Sequence, residues 1–150
     1  MSDPRAQRLS PAETAFLERR RVAHLATVDA NGVPHVVPVC FALVQGAIYS
    51  VLDLKPKRGD VMRLRRVRNI LANPRVAVVA DVYDDDWTRL AFVAVSGRAR
   101  LIGPGPDHAL GLAALRERYP QYLAMALESR PMIVIAVQGV FSWGDLSRWS

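Results

Sequence analysis

The sequence contains a single cysteine, Cys40, and no apolar run long enough to span a membrane. One cysteine excludes an internal disulfide and is typical of a reducing cytoplasm. A membrane helix needs about 20 apolar residues, whereas the longest candidate, residues 132–137, has the length of a strand. No apolar segment follows Arg5 and Arg8, so we read no secretion signal. We therefore expect a cytoplasmic protein whose residues 1–150 form one domain.

Repeats and low-complexity segments are also missing, and strand-like segments alternate with turn signals. Ser10, Pro11 and Glu13 form a capping-box pattern that predicts a helix ending at about Arg20. Strands are predicted over residues 22–28, 34–44, 47–52, 75–82, 90–102 and 132–143, with a possible bulge at Gly97. Further helices are predicted over residues 60–72, 107–118 and 121–127. Six antiparallel strands with inserted helices predict a mainly β fold with peripheral helices, a small closed or partly open barrel.

Familiar catalytic and metal-binding patterns are absent. The three histidines show no ligand spacing, and Cys40 stands alone, which argues against a metal site. His35 lies roughly 17 Å from Cys40 if both are on one strand at ~3.3 Å per residue, too far for a Cys–His pair. The prolines of residues 103–106 remove N–H donors that a phosphate loop needs, so that segment is a turn. Three consecutive acids, residues 84–86, are interpreted as a solvated loop.

Positive charge is concentrated in one segment of a chain whose net charge is +6. From Lys55 to Arg75 there are eight basic residues and one acid, Asp60. Lys55, Lys57 and Arg58 leave a strand and precede a helix predicted to begin near Asp60, where free N–H groups and the helix dipole favour anions. We predict that this segment binds phosphate.

The predicted helix over residues 60–72 extends this anion site. A helical wheel places Leu64, Val67 and Leu71 on one face, and Arg65, Arg66 and Asn69 on the other. Arg66 and Asn69, one turn apart on the polar face, would lengthen the phosphate grip. Nucleic acid is a poor candidate for the anion, because proteins that bind single strands add aromatic side chains, and residues 55–75 contain none.

At these residues the sequence resembles the pyridoxamine 5′-phosphate oxidase-like, FMN-binding split-barrel family, and within it the branch that uses coenzyme F420, a deazaflavin. The resemblance covers nearly the whole chain. It rests on the order and spacing of segments around residues 26–27, 32–35, 38–39, 48–50, 55–58, 68–70, 73–76 and 83–90. The fold it implies is a six-stranded antiparallel split β-barrel.

The resemblance also implies a homodimer with two cofactor sites at its interface. Pro38 and Val39 would lie along the ring system, and Ser50 with its neighbours would offer backbone hydrogen bonds. The phosphate and the acidic tail would be held by Lys55, Lys57, Arg58, Arg66 and Asn69. Trp87 and Trp143 would cover the ring from the partner subunit, with ordinary core or interface aromatics as the alternative.

One departure from the family pattern bears on the cofactor. The FMN-using oxidases carry an arginine and a lysine on the strand that here spans residues 36–41, where no residue is basic. The vitamin-substrate signature near the C-terminus is also missing. The implied function is hydride transfer between F420 and a small conjugated substrate. The alternatives are an FMN oxidase or reductase of the same fold, and a protein that binds the cofactor without turnover.

Overall fold

The computed structural model describes residues 7–53 and 60–150. Helix α1, Pro11–Glu18, begins as predicted, with the Ser10 hydroxyl accepting from the Glu13 backbone N–H at 3.1 Å. The Glu13 carboxylate in turn accepts from the Ser10 N–H at 2.8 Å, which completes the capping box. The helix ends two residues earlier than predicted, and Arg19 is its C-cap.

The described residues form seven strands and three α-helices. The strands are β1 Ala23–Val28, β2 Pro34–Val39, β3 Ala42–Val44, β4 Ala47–Val51, β5 Arg75–Val82, β6 Ala91–Ile102 and β7 Met132–Gly144. The helices after α1 are α2 Arg65–Ala72 and α3 Pro106–Arg118, and short 3₁₀ turns span Val61–Arg63, Trp87–Arg89, Pro120–Ala124 and Leu146–Trp149. The predicted count of six strands is wrong by one, because residues 34–44 form two strands that separate at Cys40 and Phe41. The segment predicted as a helix over residues 121–127 is the 3₁₀ turn Pro120–Ala124.

The separation of β2 from β3 explains why the sheet rolls up. The strand order is β2-β1-β5-β6-β7-β4-β3, and all pairings are antiparallel. The two edge strands, β2 and β3, are therefore joined by only two residues, so opposite edges of the sheet must meet. Because β2 and β3 are not neighbours in the hydrogen-bonded order, the sheet is not closed. The predicted mainly β split barrel with peripheral helices is confirmed.

A bulge in β7 changes which face its side chains occupy. Ser96 pairs with Gly139 and Gly97 pairs with Val137, so Gln138 has no partner on β6. One extra residue reverses the inward–outward alternation beyond it. Ile133 and Ile135 point into the main core, whereas Phe141 and Trp143 point away from it. The bulge predicted at Gly97 occurs at that point of the β6–β7 ladder, but the extra residue belongs to β7 and not to the strand of Gly97.

The two faces of the sheet are covered differently. The inner face packs against α1 and α2 and holds the main core, which includes Leu25, Val78 and Ile135. The outer face is covered by α3 over β3, β4 and the first half of β7, where Tyr49 and Val134 are buried. The rest of the outer face carries exposed apolar side chains, namely Val36, Val79, Phe141 and Trp143. In the described part of the chain, no helix is long and apolar enough to cross a membrane.

The faces predicted for the second helix are partly wrong. Asn69, assigned to the polar face, is 2% exposed, whereas Leu71, assigned to the apolar face, is 62% exposed. The helix does not run from Asp60. A 3₁₀ turn is capped at Leu64, whose ψ of 138° is not helical, and α2 starts only at Arg65. Asn69 tolerates burial because its amide donates to the Thr27 hydroxyl at 3.0 Å.

Candidate functional site

The junction where the sheet edges meet, here called the seam (residues 38–41 and 50–53), brings three predicted ring contacts together. Ser50 is buried on β4, and its hydroxyl donates to the Cys40 carbonyl at 2.8 Å. This hydrogen bond links the end of β4 to the end of β2, where Pro38 is exposed and Val39 is half-buried. The Ser50 hydroxyl thus donates its hydrogen bond to a group of the protein itself. The structure places Pro38, Val39 and Ser50 at one location.

Two tyrosines after α3 cover the seam. The Tyr119 hydroxyl accepts from the Phe41 N–H at 3.1 Å and donates to the Arg21 carbonyl at 2.9 Å. The Tyr122 hydroxyl donates to the Asp53 carboxylate at 2.6 Å. Burial, and then the hydrogen bond and charge of Asp53, raise the pKa of Tyr122, so it remains a neutral donor at physiological pH.

Arg66 is the second residue of helix α2. Its side chain is half-buried. Burial lowers the pKa of its guanidinium, and the charges of Asp53 and Tyr122 oppose that change. Arginine nevertheless stays charged in proteins. The sequence predicted Arg66 as a phosphate contact but did not identify the hydrogen bond between Tyr122 and Asp53.

A second basic site lies between α2 and the β1–β2 turn. A pocket of about 300 Å³ is lined by Asp29, Ala30, Asn31, Arg65, Arg68, Asn69 and Ala72. The Asp29 carboxylate fixes the turn by accepting from the N–H groups of Asn31 and Val33 at 2.8 and 2.9 Å. Helical spacing directs Arg65 and Arg68 to this pocket and Arg66 elsewhere. Asn69 lines this pocket and Arg66 does not, so the structure separates the predicted pair, and the sequence analysis missed Arg65 and Arg68.

The central residues of the predicted phosphate grip, Lys55, Lys57 and Arg58, lie outside the described residues. On the C-terminal side of that segment, Asp60 caps the 3₁₀ turn by accepting from the Met62 N–H at 2.9 Å. The expected helix N-terminus at Asp60 is therefore only a short turn. A capping residue such as Asp60 gives the same sequence signal before a single turn as before a long helix. For this reason the pattern predicted a helix that begins too early.

Trp87 lies in the 3₁₀ turn before β6, and Trp143 lies on the outer face of β7. Trp87 is 69% and Trp143 50% exposed, so neither is a core aromatic within this chain. Trp143 stacks on Phe92 with ring centroids 6.3 Å apart. Pro38 on β2 and Trp143 on β7 are separated by four strand spacings, about 19 Å along the sheet. Pro38 and Trp143 therefore do not lie on neighbouring strands of this chain.

The acidic loop is held by local contacts. Asp84 forms an ion pair with Arg89 at 3.1 Å, and Asp86 accepts from the Thr88 N–H at 3.0 Å. In residues 7–53 and 60–150 there is no group of three His, Cys, Asp or Glu side chains placed to hold a metal ion. The described polar groups of interest are therefore the seam and the pocket beside α2.

Known proteins are similar to this chain in sequence and in fold. Residues 9–144 match the family model of pyridoxamine 5′-phosphate oxidase. A 5a,11a-dehydrotetracycline/5a,11a-dehydrooxytetracycline reductase of Streptomyces rimosus subsp. rimosus is 32% identical over 139 residues, which cover 90% of this chain and 84% of the relative.

Solved structures give the same picture. A conserved hypothetical protein of Mycobacterium tuberculosis superposes with a TM-score of 0.73 at 21% identity, covering 96% of this chain and 89% of that one. An F420 reductase superposes with a TM-score of 0.62 at 27% identity, covering 85% of this chain and 94% of the other. The family match extends over most of the chain and agrees with the split-barrel topology. The chain belongs to the pyridoxamine 5′-phosphate oxidase family.

Proposed function

We propose that this protein is a coenzyme F420-dependent oxidoreductase that transfers a hydride between the deazaflavin and a small conjugated organic substrate. The observation that carries the proposal is the seam, where Pro38 and Val39 lie beside the buried Ser50, in a chain whose helix α2 carries three arginines. The similarity to a dehydrotetracycline reductase and to an F420 reductase supports hydride transfer to an unsaturated substrate.

The described residues fit a strongly anionic cofactor. β2, Pro34–Val39, contains no arginine or lysine, so it lacks the contacts on which FMN-using relatives were expected to rely. Helix α2 instead supplies Arg65, Arg66 and Arg68 on two sides. A deazaflavin with a phosphodiester and an oligoglutamate tail carries more negative charge than FMN. Arginines directed to two sides of α2 suit such an extended anion.

The bound cofactor would supply the hydride chemistry, and the protein would supply position and environment. Pro38 presents an exposed apolar surface at the seam, and the buried Ser50 fixes the backbone beside it. Tyr122 is buried, and its hydroxyl already donates a hydrogen bond to the Asp53 carboxylate. We therefore assign it no proton transfer to substrate. Hydride transfer itself requires no side-chain acid or base, and a proton can come from water.

We also propose that the protein is a homodimer in which Trp143 reaches the seam of the partner subunit. In the strand order, β2 and β7 lie two strands away on opposite sides of β5. A two-fold axis along β5 would therefore place β7 of one copy over β2 of the other. Following the cross-strand partners from Pro38 through β1, β5 and β6 leads to Phe141 on β7. The two strands would therefore meet at the same level along the strand direction. The exposed apolar outer face supports burial by a second copy.

Mixing two inactive variants tests this arrangement. Arg66→Gln and Trp143→Ala are each expected to bind F420 weakly, because each damages every site of its own homodimer. After mixing and subunit exchange, the mixed dimer has one site with both residues intact, so about a quarter of all sites should recover. If Trp143 served its own chain, no mixture would recover binding. Normal binding by Trp143→Ala alone would make Trp143 an ordinary interface aromatic.

Cofactor identity is tested by titrating the protein separately with F420 and FMN and following fluorescence. We expect saturable binding of F420, and a loss of roughly 1.5–3 kcal/mol in Lys57→Ala or Arg58→Ala if each removes a charge-assisted hydrogen bond. Arg19→Ala is the matched control, because Arg19 is an exposed cap residue of α1. Tight FMN binding without F420 binding would replace the proposal with an FMN oxidase or reductase. F420 binding without hydride transfer to quinones, tetrapyrroles, unsaturated lactones or dehydrotetracyclines would indicate a carrier.

A further inference from the structure

His24 is an exposed histidine on the apolar outer face of the sheet. It lies on β1, and its cross-strand partners are Pro38 on β2 and Val79 on β5. Both partners are exposed, as is Val36 two residues before Pro38. This is the surface that we propose to be buried between two subunits. Burial of an imidazole among apolar side chains costs free energy unless the imidazole forms a hydrogen bond, so His24 needs a partner there.

The side chains of His24 and Pro38 are close neighbours. β2 is an edge strand, and a proline on an edge strand directs its nitrogen, which has no hydrogen, toward the open edge. Pro38 therefore exchanges no backbone hydrogen bonds with His24. In an antiparallel pair of this type the Cα atoms are only about 4.5 Å apart, and the two side chains lie on the same face. A flat molecule that lies against Pro38 would thus also contact the imidazole of His24.

Asp81 is the ionisable side chain of the described sheet that lies nearest to His24 on this face. It is exposed on β5, two residues beyond Val79, at the diagonal Cα separation of about 7–8 Å. None of the ion pairs formed within residues 7–53 and 60–150 includes His24 or Asp81. The neighbours on the other side, Ala26 and Ala77, are small and apolar. The partner of His24 is therefore either Asp81 or an atom of a bound ligand.

We propose that His24 is a catalytic residue that donates a hydrogen bond, and during turnover a proton, to the carbonyl oxygen of a conjugated substrate lying beside Pro38. The proposal rests on the cofactor site proposed above. It names the substrate class as unsaturated ketones and lactones, in which the C=C bond is conjugated to a carbonyl group. Histidine suits this role because it exchanges a proton readily near neutral pH.

The proposed proton transfer completes the reduction of the C=C bond. The hydride, which brings two electrons from the reduced deazaflavin, forms a C–H bond at the β-carbon of the substrate. The electron pair of the C=C bond moves toward the carbonyl oxygen. The N–H bond of the protonated His24 imidazole breaks, and its proton passes to that oxygen to give an enol, which becomes the saturated ketone or lactone in water. Neutral His24 then regains a proton from solvent.

Steady-state reduction of an unsaturated lactone and of a quinone by reduced F420 provides the first test. In His24→Gln, kcat for the lactone should fall by about 10²–10⁴-fold, the usual contribution of a general acid. The quinone should be affected much less, because its reduced anion is stable without immediate protonation. The affinity for F420 should not change. His108→Gln is the matched control, because the buried His108 donates from Nε2 to the Arg130 carbonyl at 2.7 Å and glutamine can also donate there.

The second test needs no turnover. The imidazole signals of His24 in an NMR spectrum, assigned by their loss in His24→Gln, should shift when oxidised F420 is added to the wild type. They should shift again when a saturated lactone, the product of the reaction, is added to that complex. The signals of His108 should stay in place in both titrations. Imidazole signals of His24 that respond to neither addition would overturn the proposal.

The opposite reading makes His24 an interface residue paired with Asp81. It predicts that His24→Gln and Asp81→Asn both weaken the dimer in sedimentation, and that His24→Gln slows lactone and quinone reduction equally. That result, or an unchanged kcat for the lactone, would overturn the catalytic role while leaving the cofactor site intact. A wild type that binds F420 and reduces the quinone but no unsaturated ketone or lactone would do the same. Failure of the wild type to bind F420 would instead overturn the proposed function itself.

Discussion

Gly97 lies where β7 leaves no room on β6 for a Cβ atom, and its replacement by alanine tests the bulge. A Cβ at position 97 would collide with the Ala136 carbonyl oxygen and lie 3.0 Å from the Ile135 side chain. Relief requires the strands to separate, with overpacking worth about 1–3 kcal/mol and a weakened ladder hydrogen bond worth about 0.5–1.5 kcal/mol. Alanine also restricts the unfolded chain, which offsets about 0.4–1 kcal/mol of the lost stability. We expect a net loss of about 1–3.5 kcal/mol.

Urea unfolding followed by circular dichroism measures this loss, and for a chain of this size the melting temperature should fall by about 2–4 °C per kcal/mol. Gly103→Ala is the matched control, because a Cβ at position 103 would meet nothing within 4 Å. That variant should be neutral or slightly stabilised. Equal stability of the two variants would refute the close approach of β6 and β7 at Gly97, and with it the bulge that turns Phe141 and Trp143 outward.

Three further predictions concern other contacts. Gln7→Ala should destabilise the protein by about 0.5–1.5 kcal/mol, because the Gln7 side chain accepts from the Val140 N–H at 2.8 Å beside the bulge; no change in urea unfolding would mean that water replaces the contact. Ser10→Ala should cost about 1 kcal/mol through loss of the α1 cap, whereas Ser10→Asp should retain most of that stability. The raised pKa of Tyr122 gives stability that is present below pH 10.0, the usual tyrosine value, and is lost as the pH rises above it. The difference in urea stability between wild type and Tyr122→Phe should therefore shrink from pH 8 to about pH 10.5, and a constant difference would contradict the buried neutral phenol.

Local signals predicted most elements of the fold. The capping box at Ser10 and the alternating strand Arg75–Val82 were both predicted at their observed positions, because capping and strand periodicity depend on residues close in the chain. The division of β2 from β3 was not predicted. Neither Cys40 nor Phe41 breaks a strand, and the chain leaves β2 there only because the next strand belongs to the opposite edge of the sheet.

The second helix shows the limit of periodicity. The wheel assumed one continuous helix and treated Asn69 as polar, hence exposed. The helical conformation is interrupted at Leu64. Asn69 can be buried because its amide donates a hydrogen bond to the hydroxyl of Thr27 on a distant strand. A partner 42 residues away leaves no mark on a local pattern.

The sequence by itself determined the family, the mainly β architecture and the basic character of the segment before and within α2. Composition, turn residues and the order of short motifs are enough for those, since each is local or cumulative along the chain. Only the tertiary structure decided that Tyr122 bonds to Asp53 and that Arg65 and Arg68, but not Arg66, line the pocket beside α2. It also decided that one unpaired residue, Gln138, turns Trp143 to the outer face. Both depend on strand register and on the meeting of opposite sheet edges, which long-range packing fixes and local propensity does not.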